Sequence, residues 1–235
     1  MASLLRSRAM EWRAWGDLEV EHIAIPAVPQ PGDAAAFAGV DLAQRGRNAG
    51  LALRHLLRML ADDPAAARAP RQTLARLRPF VDGARRELES RHKSGGPVED
   101  YRLGLTLLTD GAVTGLCHVA RFCADGPADS VVPPFAAIAG GALGRREPAP
   151  PAVDLLFLLP EDPEARERAA RMVAFVLTGL LELGFPINHV TCSPAAAALL
   201  AEAVPFLLAS IRESRFLWGR YGLYADLVKR LPSRG

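Results

Sequence analysis

The chain has 235 residues, half of them hydrophobic and 23% charged, with a formal net charge of +2. That size and composition suit a globular domain with a sizeable core and a helical extension. Acids and bases are interleaved, so the overall charge supplies no attraction towards nucleic acid or an anionic membrane.

Ala, Leu and Arg are abundant, which favours helix. The N-terminal segment Met1-Ala-Ser-Leu-Leu-Arg is too short in apolar residues for a signal sequence. The apolar runs Met172–Leu181 and Ala195–Leu208 are too short or broken to span a membrane. These features lead us to expect a cytoplasmic protein. Cys117, Cys123 and Cys192 follow no zinc or redox spacing, and reduced thiols are the simpler reading.

Residues 1–40 read as an irregular segment, with a proline-rich stretch from Ile23 to Asp33. A helical arm is expected over 41–130. Its first helix carries Leu51, Leu53, Leu56, Leu57 and Leu60, and its second carries Leu74, Leu77, Phe80 and Val81. The third runs from about Val98 to Phe122, and the three stripes pack together.

After Gly126-Pro127 the pattern changes, and a second unit is expected over 131–235. Phe135-Ala-Ala-Ile-Ala reads as a buried strand ending in a Gly140-Gly141 turn. Val153-Asp-Leu-Leu-Phe-Leu-Leu reads as a central strand, apolar on both faces. Asp162, Pro163 and Glu164 open a helix that Gly184 closes. Ile187–Cys192 is a third strand. Ser193-Pro194 starts another helix, which Val204-Pro205 restarts towards Trp218-Gly219. The fold class is therefore α+β, helix-dominated, with three short strands.

Three segments, in order and spacing, resemble the nucleotidyltransferase domain of bacterial PII uridylyltransferases. The first is Ile138-Ala-Gly-Gly with Val153-Asp-Leu-Leu-Phe-Leu-Leu-Pro. The second is Leu181-Glu-Leu-Gly-Phe-Pro-Ile-Asn-His-Val-Thr-Cys-Ser, and the third is Glu213-Ser-Arg-Phe-Leu-Trp-Gly. The resemblance covers roughly Pro79 to Leu227 and implies a small nucleotidyltransferase-type sheet flanked by helices, with an N-terminal helical arm. It implies a nucleoside triphosphate substrate, Mg2+, and a PII-like nitrogen-signalling protein as partner. Uridylyl removal and glutamine sensing are not expected, because the segments resembled exclude the family's later domains.

The resemblance also assigns site residues. The glycine pair falls on Gly140 and Gly141, a family Arg lies one position from Arg145, and a family His falls on His189. The metal-binding Asp-x-Asp falls on Ala152-Val153-Asp154. Two acids at i and i+2 on a strand share a face and together hold Mg2+; a methyl group does not ligate. Asp154 is thus the remaining catalytic and metal candidate, and Glu147 the one nearby acid to replace the missing partner.

Further family charges fall on apolar positions, at Cys192, Val204 and Leu208. Each candidate has a structural alternative: a tight turn for Gly140-Gly141, a solvated loop charge for Glu147, and satisfied polar groups for Asp154 and His189. Two functions follow. One is a degenerate, catalytically impaired binding or regulatory module. The other is an active metal-dependent uridylyltransferase.

Overall fold

A computed structural model describes residues 42–62, 70–125, 134–147 and 152–232. The proline-rich segment and the junction between the two expected units at 130/131 lie outside the described residues, as do the side chains of Leu60 and Cys123.

The arm forms three helices, α1 (Leu42–Asp62), α2 (Pro70–Lys93) and α3 (Val98–Asp125). Their apolar stripes are buried: Leu53, Leu56 and Leu57 on α1, Leu74, Leu77 and Val81 on α2, and Leu108, Val113, Leu116 and Val119 on α3. Leu51, expected in the stripe, is 52% exposed. It lies only two residues from Leu53, about 200° around the helix.

Glycine sets the spacing of α1 and α3. A Cβ placed on Gly111 would stand 2.2 Å from the Gly50 carbonyl oxygen, and one on Gly50 would stand 2.2 Å from that of Leu107. A Cβ on Gly115 would meet the Leu57 side chain at 2.7 Å. The two backbones touch and run in the same direction along this seam.

The second half begins with β1 (Ala136–Ala139), a single turn α4 (Gly141–Gly144), and β2 (Val153–Leu158). Helix α5 (Pro163–Glu182) leads to β3 (Ile187–Cys192), followed by α6 (Pro194–Ala203) and α7 (Pro205–Arg212). The chain closes with β4 (Arg215–Gly219) and α8 (Tyr221–Arg230). The caps are the expected ones: Asp162 accepts from the Ala165 N–H at 2.8 Å, and Ser193 from the Ala196 N–H at 3.3 Å. Gly184, at φ +80, lies just past the end of α5.

The sheet order is β3-β2-β1-β4. β1 is antiparallel to both β2 and β4, and β2 is parallel to β3. The architecture is α+β and helix-dominated, with four strands rather than three. The expected helix from Pro205 to Trp218 stops at Arg212, and Arg215–Gly219 instead pairs with β1. The pairing contains an irregularity between Ala137 and Ile138, leaving Leu217 unpaired between Phe216 and Trp218.

Strand alternation sorts the core into two layers. Leu155, Phe157 and Trp218 pack with α5 and the arm, in one cluster that also holds Leu53, Leu108 and Leu116. Ile138, Leu156, Leu158 and Cys192 pack with α6, α7 and α8 through Ala197, Ala201, Ile211 and Leu227. Each fully buried Leu or Phe contributes about 1.5–3 kcal/mol.

Helix α3 is long and apolar enough to cross a membrane by composition alone. Its apolar side, however, is buried against α1, α2, α5 and the sheet, as in the core helix of a globular protein.

Candidate functional site

β1 ends at Ala139, and the glycine turn folds back over the head of β2. The Gly140 N–H donates to the Asp154 carbonyl at 3.0 Å, which fixes the turn beside that strand. Gly141 sits at φ +50, where a Cβ would stand 2.7 Å from Asp154 Oδ2. A Cβ on Gly140 would stand 2.7 Å from Ser210 Oγ on α7. The glycines thus admit a carboxylate on one side and a hydroxyl on the other.

Asp154 is half-buried and lies opposite Asn188 in the parallel β2–β3 pair. Asn188 Nδ2 donates to Asp154 Oδ1 at 3.1 Å. One carboxylate oxygen therefore carries an amide N–H and the other lies against Gly141. Ala152 precedes β2 and adds no oxygen donor.

The other candidates are placed differently. Arg145 is exposed and donates through Nε to Glu147 Oε2 at 3.3 Å, while its Nη1 pairs with Glu213. These two acids, Glu213 first, raise the guanidinium pKa above its ordinary value. Glu147 is thus an ion-pair partner of Arg145. His189 is exposed on the edge strand β3. Its register partner is Leu155, which faces α5, whereas Asp154 is one residue out of phase and faces the other layer. Gly140, Gly141 and Asp154 come together; His189 projects from the opposite face.

Behind the turn lies a largely buried ion pair between the arm and β4. Arg215 Nη1 and Nη2 donate to Asp110 Oδ2 and Oδ1 at 2.9 and 3.0 Å, and Nη2 also reaches the Leu143 carbonyl at 3.3 Å. Burial raises the Asp110 carboxyl pKa above its usual range, and Arg215 opposes that shift. Arg215 Nε is buried without a hydrogen-bond partner among the described residues. One side chain therefore links α3, β4 and the helical turn after the glycines.

Asn188, Ser210 and the Asp110–Arg215 pair were not assigned from sequence. Asp110 did carry a signal, since an acid within the apolar stretch from Leu103 to Val119 requires a buried cationic or hydrogen-bonding partner. Ser210 carried none.

The residues at the glycine turn do not fit the divalent cation that nucleotidyl transfer requires. Among the described residues no group of three or more His, Cys, Asp or Glu side chains could hold a metal ion. Asp154 has an amide as neighbour where a second carboxylate is needed, and Glu147 is held by Arg145. A triphosphate approaching the turn would find Arg145 already paired to two acids. No catalytic step through a metal follows from this arrangement.

Substituting Gly141 tests the packing of the turn. Gly141→Ala should push the Asp154 carboxylate off its seat and lower stability by about 1–2 kcal/mol. Chemical denaturation measures the loss, and Asn188→Ala, which removes one hydrogen bond at an exposed site, should cost less.

The fold and turn together define a helix-flanked α+β domain with a small mixed sheet. Over part of its length the chain is related to the bifunctional uridylyltransferase/uridylyl-removing enzymes, a nucleotidyltransferase-like relationship confined to one domain. It is 32% identical to the Azospirillum brasilense enzyme over 161 residues, which is 67% of this chain and 17% of that protein. The Gluconobacter oxydans enzyme is 31% identical over 143 residues, 61% of this chain and 14% of that protein. The Rhodopseudomonas palustris enzyme is 36% identical over 95 residues, 40% of this chain and 10% of that protein. The chain therefore spans about a sixth or less of the length of these relatives. No family model matches the chain, and no solved structure matches it.

Proposed function

We propose that this protein is a degenerate nucleotidyltransferase-like domain, catalytically impaired, that acts as a binding or regulatory module. The observation that carries the reading is the state of Asp154. Its Oδ1 is engaged by Asn188, its Oδ2 lies against Gly141, and Ala152 supplies no second carboxylate. Transfer of a nucleotidyl group needs metal to bridge the phosphates and activate the attacking oxygen, and one carboxylate does not build that cage.

The proposed partner is a PII-like regulatory protein in the bacterial cytoplasm, as the relatedness to uridylyltransferases suggests. Gly140 and Gly141 would then serve as a tight turn that fixes the ends of the central strands β1 and β2 beside the contact surface. The replacement of family charges by Val204, which is 43% exposed, and Leu208 supports an apolar contribution to such a surface.

The second reading is an active uridylyltransferase that modifies a small nitrogen-signalling protein. The 32% identity over 161 residues and the intact order of the three segments favour it. In that case Mg2+ would be the cofactor, Asp154 its ligand, and Gly140, Gly141, Arg145 and His189 would face the nucleotide. The opposite faces of Asp154 and His189 weigh against this assembly.

Incubation with labelled UTP, Mg2+ and a PII-type protein separates the two. The expected result is no label transferred above a boiled control, together with no metal-dependent UTP binding by calorimetry. Turnover above the control would overturn the proposal and restore the second reading.

A further inference from the structure

We propose that the outer edge of β3 is a self-association surface, where a second copy of the chain adds its own β3 in antiparallel register about a two-fold axis at His189. This surface is independent of the reading of the glycine turn.

The hydrogen bonds of the sheet fix which backbone groups of β3 face outwards. The Val153 N–H donates to the Pro186 carbonyl at 2.8 Å, and the Leu159 N–H donates to the Cys192 carbonyl at 2.9 Å. Successive residues of a strand turn their backbone groups to opposite sides, so Asn188 and Val190 also turn theirs towards β2. The N–H and C=O groups of Ile187, His189 and Thr191 therefore point away from the sheet. On that side β3 has no neighbouring strand among the described residues. Asn188, His189 and Thr191 are exposed, which leaves the edge open on both faces.

The two edges of the sheet are not alike. β4 carries the irregular pairing opposite Ala137 and Ile138, starts on Arg215, ends on Gly219 at φ +107, and is packed by α3. Bulges, charges and cover are the devices that keep an edge from pairing with another chain. β3 has none of the first two: it pairs with β2 over its whole length without a shift. Ile187-Asn-His-Val-Thr-Cys contains no Lys, Arg, Asp, Glu or Pro, and Pro186 and Pro194 stand outside it.

The layout selects a second copy as the occupant. A foreign peptide added to a sheet edge is recognised through pockets beside the strand, and the exposed side chains of Asn188, His189 and Thr191 wall no such pocket. An identical strand supplies the match by symmetry. The outward residues are spaced evenly about His189, so an antiparallel copy sets His189 opposite His189 of the second copy. Ile187 then meets Thr191 of the second copy, and Asn188 meets Val190. Each pair joins residues of the same face, because the two positions differ by an even number. Ile187 with Thr191 is a β-branched pair, and no acid meets an acid or lysine a lysine along the edge. The contact is isologous and joins the two sheets into one.

Analytical ultracentrifugation of the full chain provides the test. One strand pair is smaller than a standard interface, so a dimer with a dissociation constant of roughly 10–100 μM is expected. His189→Lys and His189→Glu each set like charges opposite one another at the axis and should raise that constant about tenfold or more. Their circular dichroism spectra should be unchanged, since the position is exposed. An equimolar mixture of the two variants should associate again, because opposite charges then face each other. Phe206→Ser, at a side chain 78% exposed on α7, should leave the constant within about twofold.

Hydrogen exchange followed by NMR gives a second readout: the amides of Ile187, His189 and Thr191 should become protected as concentration rises. The proposal is overturned if the wild-type chain stays monomeric at about 1 mM, or if the mixture associates no better than either variant alone. It is also overturned if Phe206→Ser disperses the dimer while the His189 variants leave it intact.

Discussion

Arg215→Met should lower the stability of the protein by about 3–5 kcal/mol, because it leaves the Asp110 carboxylate buried without its cation. Asp110 and Arg215 are only about one-fifth exposed and share two hydrogen bonds across 105 residues of sequence. For a chain of this size each kcal/mol corresponds to roughly 2–4 °C, so a thermal shift of about 6–20 °C is expected. The double variant Asp110→Leu/Arg215→Met, which removes both charges, should recover most of the loss. If the double variant is as unstable as the single one, packing rather than charge explains the effect.

The same pair has a pH signature. The folded Asp110 carboxyl holds its proton more tightly than the unfolded one, since burial outweighs the pull of Arg215. Its contribution is therefore fully present below the unfolded value, near 3.8, and declines as pH rises through the higher folded value. Compared with Asp110→Asn, the wild-type protein should lose stability over that rise, which urea midpoints at successive pH values would register. An increase in relative stability over the same interval would mean that Arg215 dominates.

Gly111→Leu should be the most damaging single change in the arm. The added Cβ alone would lie 2.2 Å from the Gly50 oxygen and 2.6 Å from its Cα, both backbone atoms within a neighbouring helix. Rotamer changes cannot relieve such a contact, so α1 and α3 must separate, exposing Leu57 and Leu116, which are fully buried. The expected cost is at least about 1–3 kcal/mol, the usual range for overpacking, and the leucine branch adds to it. Gly222→Ala is the control: nothing lies within 4 Å of its Cβ position in α8, and alanine should stabilise that helix by about 0.5–1 kcal/mol. Thermal melts of the two variants should therefore move in opposite directions.

Much of the architecture was legible in the residues because it rests on local physics. Asp162 with Pro163, and Ser193 with Pro194, start helices through side-chain caps and a preset φ. The apolar periods of the arm gave its helices, and the unbroken run Leu155–Leu159 gave a strand covered on both sides. β4 was missed because the chain after Pro205 lacks a glycine or proline stop before Gly219, and its hydrogen bonds go to β1, some eighty residues earlier. Its Phe216 and Trp218 did favour a strand, but only the edge of β1 made one.

By itself the sequence determined an α+β chain of three arm helices and a small sheet, a glycine pair, and a single acid at the head of the next strand. Propensity, capping and apolar period act over a few residues, so these features needed no partner. Only the tertiary structure decided that Asn188 rather than a second acid meets Asp154, that His189 faces the other layer, and that Arg145 spends its charge on Glu147 and Glu213. Those outcomes depend on strand register and on contacts between distant segments, where one residue of phase reverses the face a side chain presents.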